Sequence, residues 1–146
     1  MLRITKLTDY ATILMAHLAR TPERQVSAQQ IGQEVDLPTP TVAKLLKQLS
    51  QAGLVQSSRG VGGGYCLARS PAEIRISELI EAIEGPVALT ECALGVNNCI
   101  RSADCSTRAN WQIVSRAVRV ALDAVSLADL SAATPRVTRL RLLARS

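Results

Sequence analysis

The sequence has very few aromatic residues, with one Trp, two Tyr and no Phe among 146 residues. Hydrophobic residues still make up 47% of the chain, so the core must be built from Leu, Ile, Val and Ala. An aliphatic core favours helices and argues against an all-β sandwich. The shortage of aromatic side chains also argues against a protein that stacks single-stranded bases on them.

Histidine is also scarce, and His17 is the only one in the chain. No plausible pairing of a nucleophile with a general base is present, so we predict that the protein is not an enzyme. A lone histidine on a helix is more often structural than a metal ligand.

Long apolar runs are absent as well. No stretch of 18 apolar residues could span a membrane, and the first 20 residues lack the apolar core of a signal peptide. We therefore expect a cytoplasmic protein without membrane contact. We then expect its four cysteines not to form structural disulfides, because the compartment is reducing.

The charge balance is basic, with a formal net charge of +5 and a pI near 9.4. Basic charge points weakly to a polyanionic partner such as nucleic acid. A basic protein with no such partner is the competing interpretation, and charge alone does not separate the two.

Apolar periodicity predicts three helices in the first 53 residues. The first covers about 5–20, and the second covers 28–35 with Ser27 as its N-cap. Thr39 is predicted to cap the third helix, with Pro40 at its first position, and Gly53 to end it. The buried face of the third helix is predicted to contain Val42, Leu45, Leu46 and Leu49. Two short helices joined by a four-residue turn are typical of a helix-turn-helix.

A predicted β-hairpin follows the third helix directly. One strand begins at 54–55, and the other contains Tyr65 and Leu67. The turn between them holds Arg59 and four glycines, which permit backbone conformations closed to other residues. A phosphate-binding loop is disfavoured, because no G-K-[ST] motif and no helix follow. The hairpin is therefore interpreted as the wing of a winged helix-turn-helix.

The rest of the chain predicts a mainly α fold with the small β wing as its only sheet. Ser77 is predicted to cap a helix that ends at Glu84, and a loop over about 87–106 leads to a long helix over about 107–125. Two apolar stripes run along this helix: Trp111, Val114, Val118, Ala121 and Val125, and Ile113, Ala117, Val120 and Ala124. One stripe can pack on its own domain and the other on a second copy, which indicates a dimerisation helix. The alternative is one broad core-facing stripe in a monomer.

These elements divide the chain into three parts. Residues 1–76 are predicted to be the DNA-binding domain, and 77–130 to be the cysteine loop and dimerisation helix. Residues 131–146 are predicted to form a basic, disordered tail whose arginines are Arg136, Arg139, Arg141 and Arg145.

The outward face of the third helix supplies the candidate DNA contacts. Hydroxyls and amides can read base edges, and lysines can meet phosphates or guanine. The candidates are Thr39, Thr41, Lys44, Lys47 and Gln48, with Arg59 at the wing tip for phosphate or minor-groove contact. Thr39, Thr41 and Lys44 should lie nearest the bases, because the N-terminal part of a recognition helix enters the major groove first.

Three cysteines lie in the predicted loop. Cys92, Cys99 and Cys105 are separated by six and five residues, so the loop has no C-x2-4-C knuckle of the kind typical of structural zinc sites. A disulfide would use two of these cysteines and leave the third thiol without a disulfide partner. An iron–sulfur cluster suits three soft thiolates in a 14-residue loop. Zinc binding and thiol redox chemistry stay open, and Cys66 is interpreted as a buried structural thiol.

Several stretches resemble the bacterial winged-helix iron–sulfur transcription regulators that include IscR and NsrR. The resemblance covers roughly 1–130 and is carried by 4–11 (ITKLTDYA), 39–49, 53–55, 59–65 (RGVGGGY), 76–92, Trp111 and Ser126-Leu127. The motifs 89–92 (LTEC) and 109–111 (ANW) resemble the branch that regulates the SUF cluster-assembly operon. The wing motif and the three cysteines together are specific to this family.

The resemblance implies a cluster, 2Fe-2S or 4Fe-4S, held by Cys92, Cys99 and Cys105. IscR-like members place a histidine three residues after the third cysteine, where this chain has Arg108. Arginine has no lone pair to give to iron. In NsrR-like members an aspartate near the N-terminus of the other subunit completes the site, and Asp9 lies at the matching position. Glu91, Asp104 and an exogenous ligand are the alternatives.

The function implied is a homodimeric, cluster-sensing repressor of cluster-assembly genes that binds a pseudo-palindromic operator in double-stranded DNA. The alternative is a winged-helix regulator that senses nitric oxide, redox state, thiols or zinc and has no role at an assembly operon.

Overall fold

A computed structural model describes residues 4–90 and 108–132 of the chain. Its helices are α1 (Lys6–Arg20), α2 (Ala28–Val35), α3 (Thr39–Gln51), α4 (Ile76–Glu84), α5 (Arg108–Asp123) and α6 (Leu127–Ser131), and its strands are β1 (Val55–Ser58) and β2 (Gly64–Leu67). The mainly α fold with a two-stranded wing is confirmed. No helix in the described ranges is both long and apolar enough to cross a membrane.

One aliphatic core joins the helix-turn-helix to α4 and α6. The predicted buried face of α3 is confirmed, because Val42, Leu45, Leu46 and Leu49 are all fully buried. They pack with Leu14 and Met15 of α1, Ile31 of α2, Leu79 of α4 and Leu127 of α6, among others. The recognition helix α3 is thus fixed on its inner side, and its outer side is left to solvent.

Of the two N-caps predicted in the helix-turn-helix, one is confirmed and the other is wrong. Ser27 caps α2 as predicted, with its Oγ accepting a hydrogen bond from the Gln30 backbone N–H at 3.1 Å. The prediction that Thr39 caps α3 is wrong, since Pro38 is the N-cap and Thr39 is already helical. No side chain caps α3. Pro40 lacks an N–H, so the first turn has one fewer donor to satisfy.

Helix α4 begins two residues earlier than predicted. Arg75 occupies the cap position, and its backbone N–H donates to the Glu78 carboxylate at 2.9 Å. Ser77, predicted as the cap, is instead a buried helical residue whose hydroxyl donates to the carboxylate of Asp123 in α5. Gly85 ends the helix as predicted. The serine therefore joins two helices instead of starting one.

The wing is anchored to the segment before α2. Strands β1 and β2 pair antiparallel from Val55 with Leu67 to Ser58 with Gly64. Val26 and Tyr65 then exchange two backbone hydrogen bonds of 3.0 and 2.8 Å. Gly64 has a φ of +155°, and a Cβ there would lie 2.7 Å from the backbone of Val26. Only glycine allows this close approach, which fixes the base of the wing.

The C-terminal part of the described chain contains one predicted helix and one unpredicted helix. The long helix α5 is confirmed, and it ends two residues earlier than expected. Helix α6 was not predicted. The side chains and backbone of Ser126 and Asp129 form a capping box at its start, and Leu127 is fully buried against α1. Helix α6 is therefore part of the packed domain.

Glu84 connects the end of α4 to the start of α1. Its Oε1 accepts hydrogen bonds from the Thr5 backbone N–H at 3.0 Å and the Thr5 hydroxyl at 2.6 Å, and from the hydroxyl of buried Thr8. The Thr5 hydroxyl first, and then that of Thr8, hold the pKa of Glu84 below its ordinary 4.5. Charge-assisted bonds of this kind stabilise a fold by more than neutral ones.

We predict that Glu84→Ala lowers the free energy of unfolding by about 1 kcal/mol at pH 7, after discounting for the solvent exposure of Glu84. A depressed carboxyl pKa contributes stability above the unfolded value and loses it as the pH falls through the folded value. The difference from wild type in urea unfolding should therefore shrink as the pH falls below 4.5.

The control for this variant is Glu23→Ala, because Glu23 is exposed and has no hydrogen-bond partner among residues 4–90 and 108–132. It should leave stability nearly unchanged. An equal loss in both variants, or a Glu84 difference that stays unchanged as the pH falls, would contradict the prediction.

Candidate nucleic-acid interface

The outer face of α3 presents free basic groups. Thr39, Lys44 and Lys47 are exposed, and Thr41 is half-buried. Within the described ranges neither lysine has an ion-pair or hydrogen-bond partner. Their ammonium groups are therefore available to phosphates or base edges.

Gln48 differs from the other predicted contacts. Its side chain is half-buried, and its Oε1 is buried without a hydrogen-bond partner among the described residues. A base-reading amide needs both of its polar atoms at the surface. Gln48 therefore lies at the edge of the recognition face rather than at its centre.

Sequence reasoning missed one residue of this face. Gln51 is exposed and lies four residues after Lys47 and seven after Lys44. Residues at these spacings share one side of a helix. That spacing was the signal that could have found it.

The wing tip combines a cation with an exposed apolar side chain. Arg59 is exposed, and Val61, which sequence reasoning did not select, is fully exposed. Gly60 and Gly62 have positive φ values of +98° and +78°, so the turn needs their freedom. An arginine beside an exposed valine suits contact with the phosphate, sugar or thymine methyl groups of DNA.

The interface has no acidic residue. From Thr39 to Leu67 the chain contains Lys44, Lys47 and Arg59, and not one of its 12 Asp and Glu residues. The recognition helix and the wing therefore present a purely positive surface to any partner. This 29-residue segment without acidic residues is visible in the sequence. It indicates a phosphate-bearing partner more directly than the net charge of the chain does.

The predicted cluster ligands Cys92, Cys99 and Cys105 lie outside the described residues, as do Glu91 and Asp104. Asp9 is described. It lies in the first turn of α1, and its exposed carboxylate has no partner within residues 4–90 and 108–132.

The chain that leads to the cysteines is anchored to α5, since the Leu89 N–H donates to the buried Ser115 hydroxyl of this helix at 3.2 Å. The described part itself contains no group of three or more metal-ligating side chains.

His17 has a partner that accounts for it. Its Nε2 lies 2.7 Å from the Glu34 Oε2, and this contact connects α1 to α2. Hydrogen bonds from His17 and then Gln30 lower the pKa of Glu34. The geometry agrees with the structural interpretation of this histidine.

Helix α5 leaves much of its apolar surface uncovered. The exposed side chains come from both predicted stripes: Trp111, Ile113, Val114 and Val120. On the other side, Ser115 is buried, and Arg119 forms an ion pair of 2.8 Å with Glu81 of α4. An exposed apolar row of this length indicates a partner surface.

Comparisons with known proteins agree with this geometry. The Rrf2 family, described as iron-dependent transcriptional regulators, matches residues 4–133. The transcriptional regulator IscR of Cereibacter sphaeroides is 32% identical over 126 residues, which cover 83% of this chain and 81% of that protein.

Two solved structures extend the comparison. CymR of B. subtilis, called its global cysteine regulator, is 31% identical with a TM-score of 0.71, covering 92% of this chain and 99% of that one. IscR of T. potens is 30% identical with a TM-score of 0.64, covering 88% of this chain and 85% of that one.

Proposed function

Because the chain belongs to the Rrf2 family of transcriptional regulators, we propose that it is a dimeric, iron–sulfur cluster-sensing repressor of cluster-assembly genes, those of the SUF system. The protein is a transcriptional regulator and not an enzyme. The observation that carries its DNA-binding role is the acid-free surface of α3 and the wing, with Lys44, Lys47 and Arg59 exposed. It acts in the cytoplasm, where the DNA is.

The donor set suits a cluster. Cys92, Cys99 and Cys105 would hold it, because thiolates are the usual ligands of iron–sulfur clusters. The exposed, unpaired Asp9 of the partner subunit is the fourth ligand that we favour. Thr8 is buried against Glu84 while Asp9 is exposed, so Asp9 is free to meet another chain. A cluster held there would be a releasable and oxidisable group, and its state would depend on the iron supply and on the level of oxidants.

Contacts within the described residues provide a route from the cysteine segment to the recognition helix. The segment lies between α4 and α5, which are joined by Ser77 with Asp123 and by Arg119 with Glu81. Helix α4 in turn packs against α3 and α1. We propose that a group held by Cys92, Cys99 and Cys105 would shift α5 on α4 and so change the position of α3. A coupling of about 1–3 kcal/mol suffices for a 5- to 150-fold change in DNA affinity.

Dimerisation follows from the exposed apolar face of α5. Two copies related by a two-fold axis would cover Trp111, Ile113 and Val120. The same axis relates the two α3 helices, so the operator should be pseudo-palindromic with half-sites about one helical turn apart.

A second candidate is a thiol-sensing regulator without a cluster. The similarity to CymR, a cysteine regulator by name, favours it. This candidate uses the same DNA-binding surface and differs only in the chemistry of the three cysteines. Inorganic sulfide content separates the two.

Selection of duplexes from a random library tests the DNA-binding function without a known operator. We expect enrichment of a pseudo-palindromic sequence, because two symmetry-related α3 helices read it. A protein that enriches no duplex even at low salt would overturn the proposed function.

Lys44→Ala should weaken binding of the selected duplex about 5- to 150-fold, since a direct contact with a base edge is worth about 1–3 kcal/mol. Lys6→Ala is the matched control: it removes the same charge from the exposed start of α1, beside the Glu84 contact. Fluorescence anisotropy at one fixed salt concentration measures both. Equal losses would show a non-specific charge effect and contradict the assignment of Lys44.

A further inference from the structure

The wing depends on contacts outside itself for its position. Each of its strands has only four residues, and the turn between them, 59–63, contains three glycines. An isolated two-stranded hairpin is at best marginally stable in water. The position of Arg59 in this turn is therefore set by the contacts that join the hairpin to the rest of the domain.

The backbone fixes one strand of the wing better than the other. Strand β2 is held through the two hydrogen bonds between Val26 and Tyr65. Strand β1 begins in the core with buried Val55, but its remaining residues, 56–58, are exposed. Among the described residues, no backbone hydrogen bond joins 55–58 to an element other than β2. The end of β1 that leads to Arg59 therefore needs another support.

The side chain of Gln25 provides this support. Its Nε2 donates a hydrogen bond to the Sγ of Cys66 in β2 at 3.0 Å, and its Oε1 accepts one from the hydroxyl of Ser58 in β1 at 3.1 Å. Cys66 also accepts a hydrogen bond at 3.3 Å from Gln56, its partner across the ladder. One amide from the segment between α1 and α2 thus joins both strands of the wing to the domain.

The contact with Ser58 lies directly beside the wing tip. Ser58 is the last residue of β1, and Arg59 follows it, so their Cα atoms are about 3.8 Å apart. A side chain that is already held in its bound position loses less conformational freedom when it binds. Whatever fixes Ser58 therefore affects how tightly Arg59 can bind a phosphate or a groove.

We propose that Gln25 is a positioning residue for DNA recognition: by joining Ser58 and Cys66, it holds the wing so that Arg59 meets the duplex without further ordering. The proposal rests on the proposed DNA-binding function. Gln25 acts through Arg59 and not on the DNA itself. Its removal should therefore matter only while Arg59 is present.

A double-mutant cycle with Gln25→Met and Arg59→Ala tests this dependence. Methionine keeps the length of the side chain but has no amide for either hydrogen bond. With Arg59 present, Gln25→Met should weaken binding of the selected duplex about 2- to 10-fold, the range of one net hydrogen bond. In the Arg59→Ala background the further loss should be less than about 2-fold, since the two residues act as a unit. Fluorescence anisotropy at one fixed salt concentration measures all four proteins.

Lys44→Ala provides the matched background, because Lys44 is carried by α3 and not by the wing. There Gln25→Met should cause its full loss, because separate contacts are additive. Cys66→Val is a second variant that removes the sulfur acceptor and keeps an apolar side chain of similar size. Cys66 is only 3% exposed and does not reach DNA, so its loss of affinity should also depend on Arg59.

Equal losses with and without Arg59 would mean that Gln25 contacts DNA directly or supports the fold in general, and would overturn the proposal. An Arg59→Ala variant that binds as tightly as wild type would overturn it as well, since Gln25 would then have no contact to position. These outcomes leave the DNA-binding function intact. If wild type binds no duplex, the proposed function fails and the role of Gln25 fails with it.

Discussion

Protein purified without oxygen is expected to be coloured and to contain acid-labile sulfide, and Cys99→Ala is expected to lose both. Cys99 is the middle of three thiols within 14 residues, and its removal leaves two, too few to hold a cluster with one weak oxygen ligand. The visible absorption spectrum, with iron and sulfide counts, measures the effect. Loss of sulfide should be essentially complete.

Cys66→Ala is the matched control, because it removes a thiol elsewhere in the same chain. Cys66 is buried on β2, where its Sγ accepts hydrogen bonds from the side-chain amides of Gln25 at 3.0 Å and Gln56 at 3.3 Å. This variant should keep the colour. A wild type that is colourless, lacks sulfide and resists cluster reconstitution would favour zinc or thiol sensing and leave the DNA-binding assignment standing.

Patterns that repeat along several turns predicted the fold best. The apolar residues of α1 and α3 recur over three or four turns, so their buried faces could be read directly. The first residues and caps of the helices were predicted less accurately than the buried faces. A threonine or serine near a start resembles a cap, but Pro40 lowers the need for one in α3, and Glu78 satisfies the start of α4 in its place.

The candidate site was predictable on the DNA side and much less so on the cysteine side. The exposure of Lys44 and Lys47 follows from their helical phase against Leu45 and Leu46. The orientation of Gln48 does not, because a half-buried amide depends on its neighbours in space. A spacing of six and five residues limits the possible metals but fixes no geometry, so the cluster rests on donor chemistry and family membership.

Helix α6 shows why short elements escape sequence analysis. Its five residues make less than two turns, too few for any periodicity to appear. The only signal for it was the capping pair of Ser126 and Asp129, which lies just after the predicted end of the long helix. Its position is set by long-range contacts, since the Leu127 N–H donates to the Ile74 carbonyl at 2.9 Å.

Leu127→Ala is therefore expected to destabilise the whole domain, with a loss of about 2–5 kcal/mol in the free energy of unfolding. Leu127 is fully buried in the core that also holds α3, and truncation of a buried leucine removes transfer energy and leaves a cavity. Leu130→Ala is the control on the same helix. Leu130 is 43% exposed, so its loss should cost less than about 1 kcal/mol.

Urea unfolding at one fixed protein concentration measures both variants, since dimerisation makes the midpoint depend on concentration. If α6 were a loosely attached end of the chain, the two variants would unfold alike. A large difference means that α6 belongs to the same core that holds the recognition helix α3.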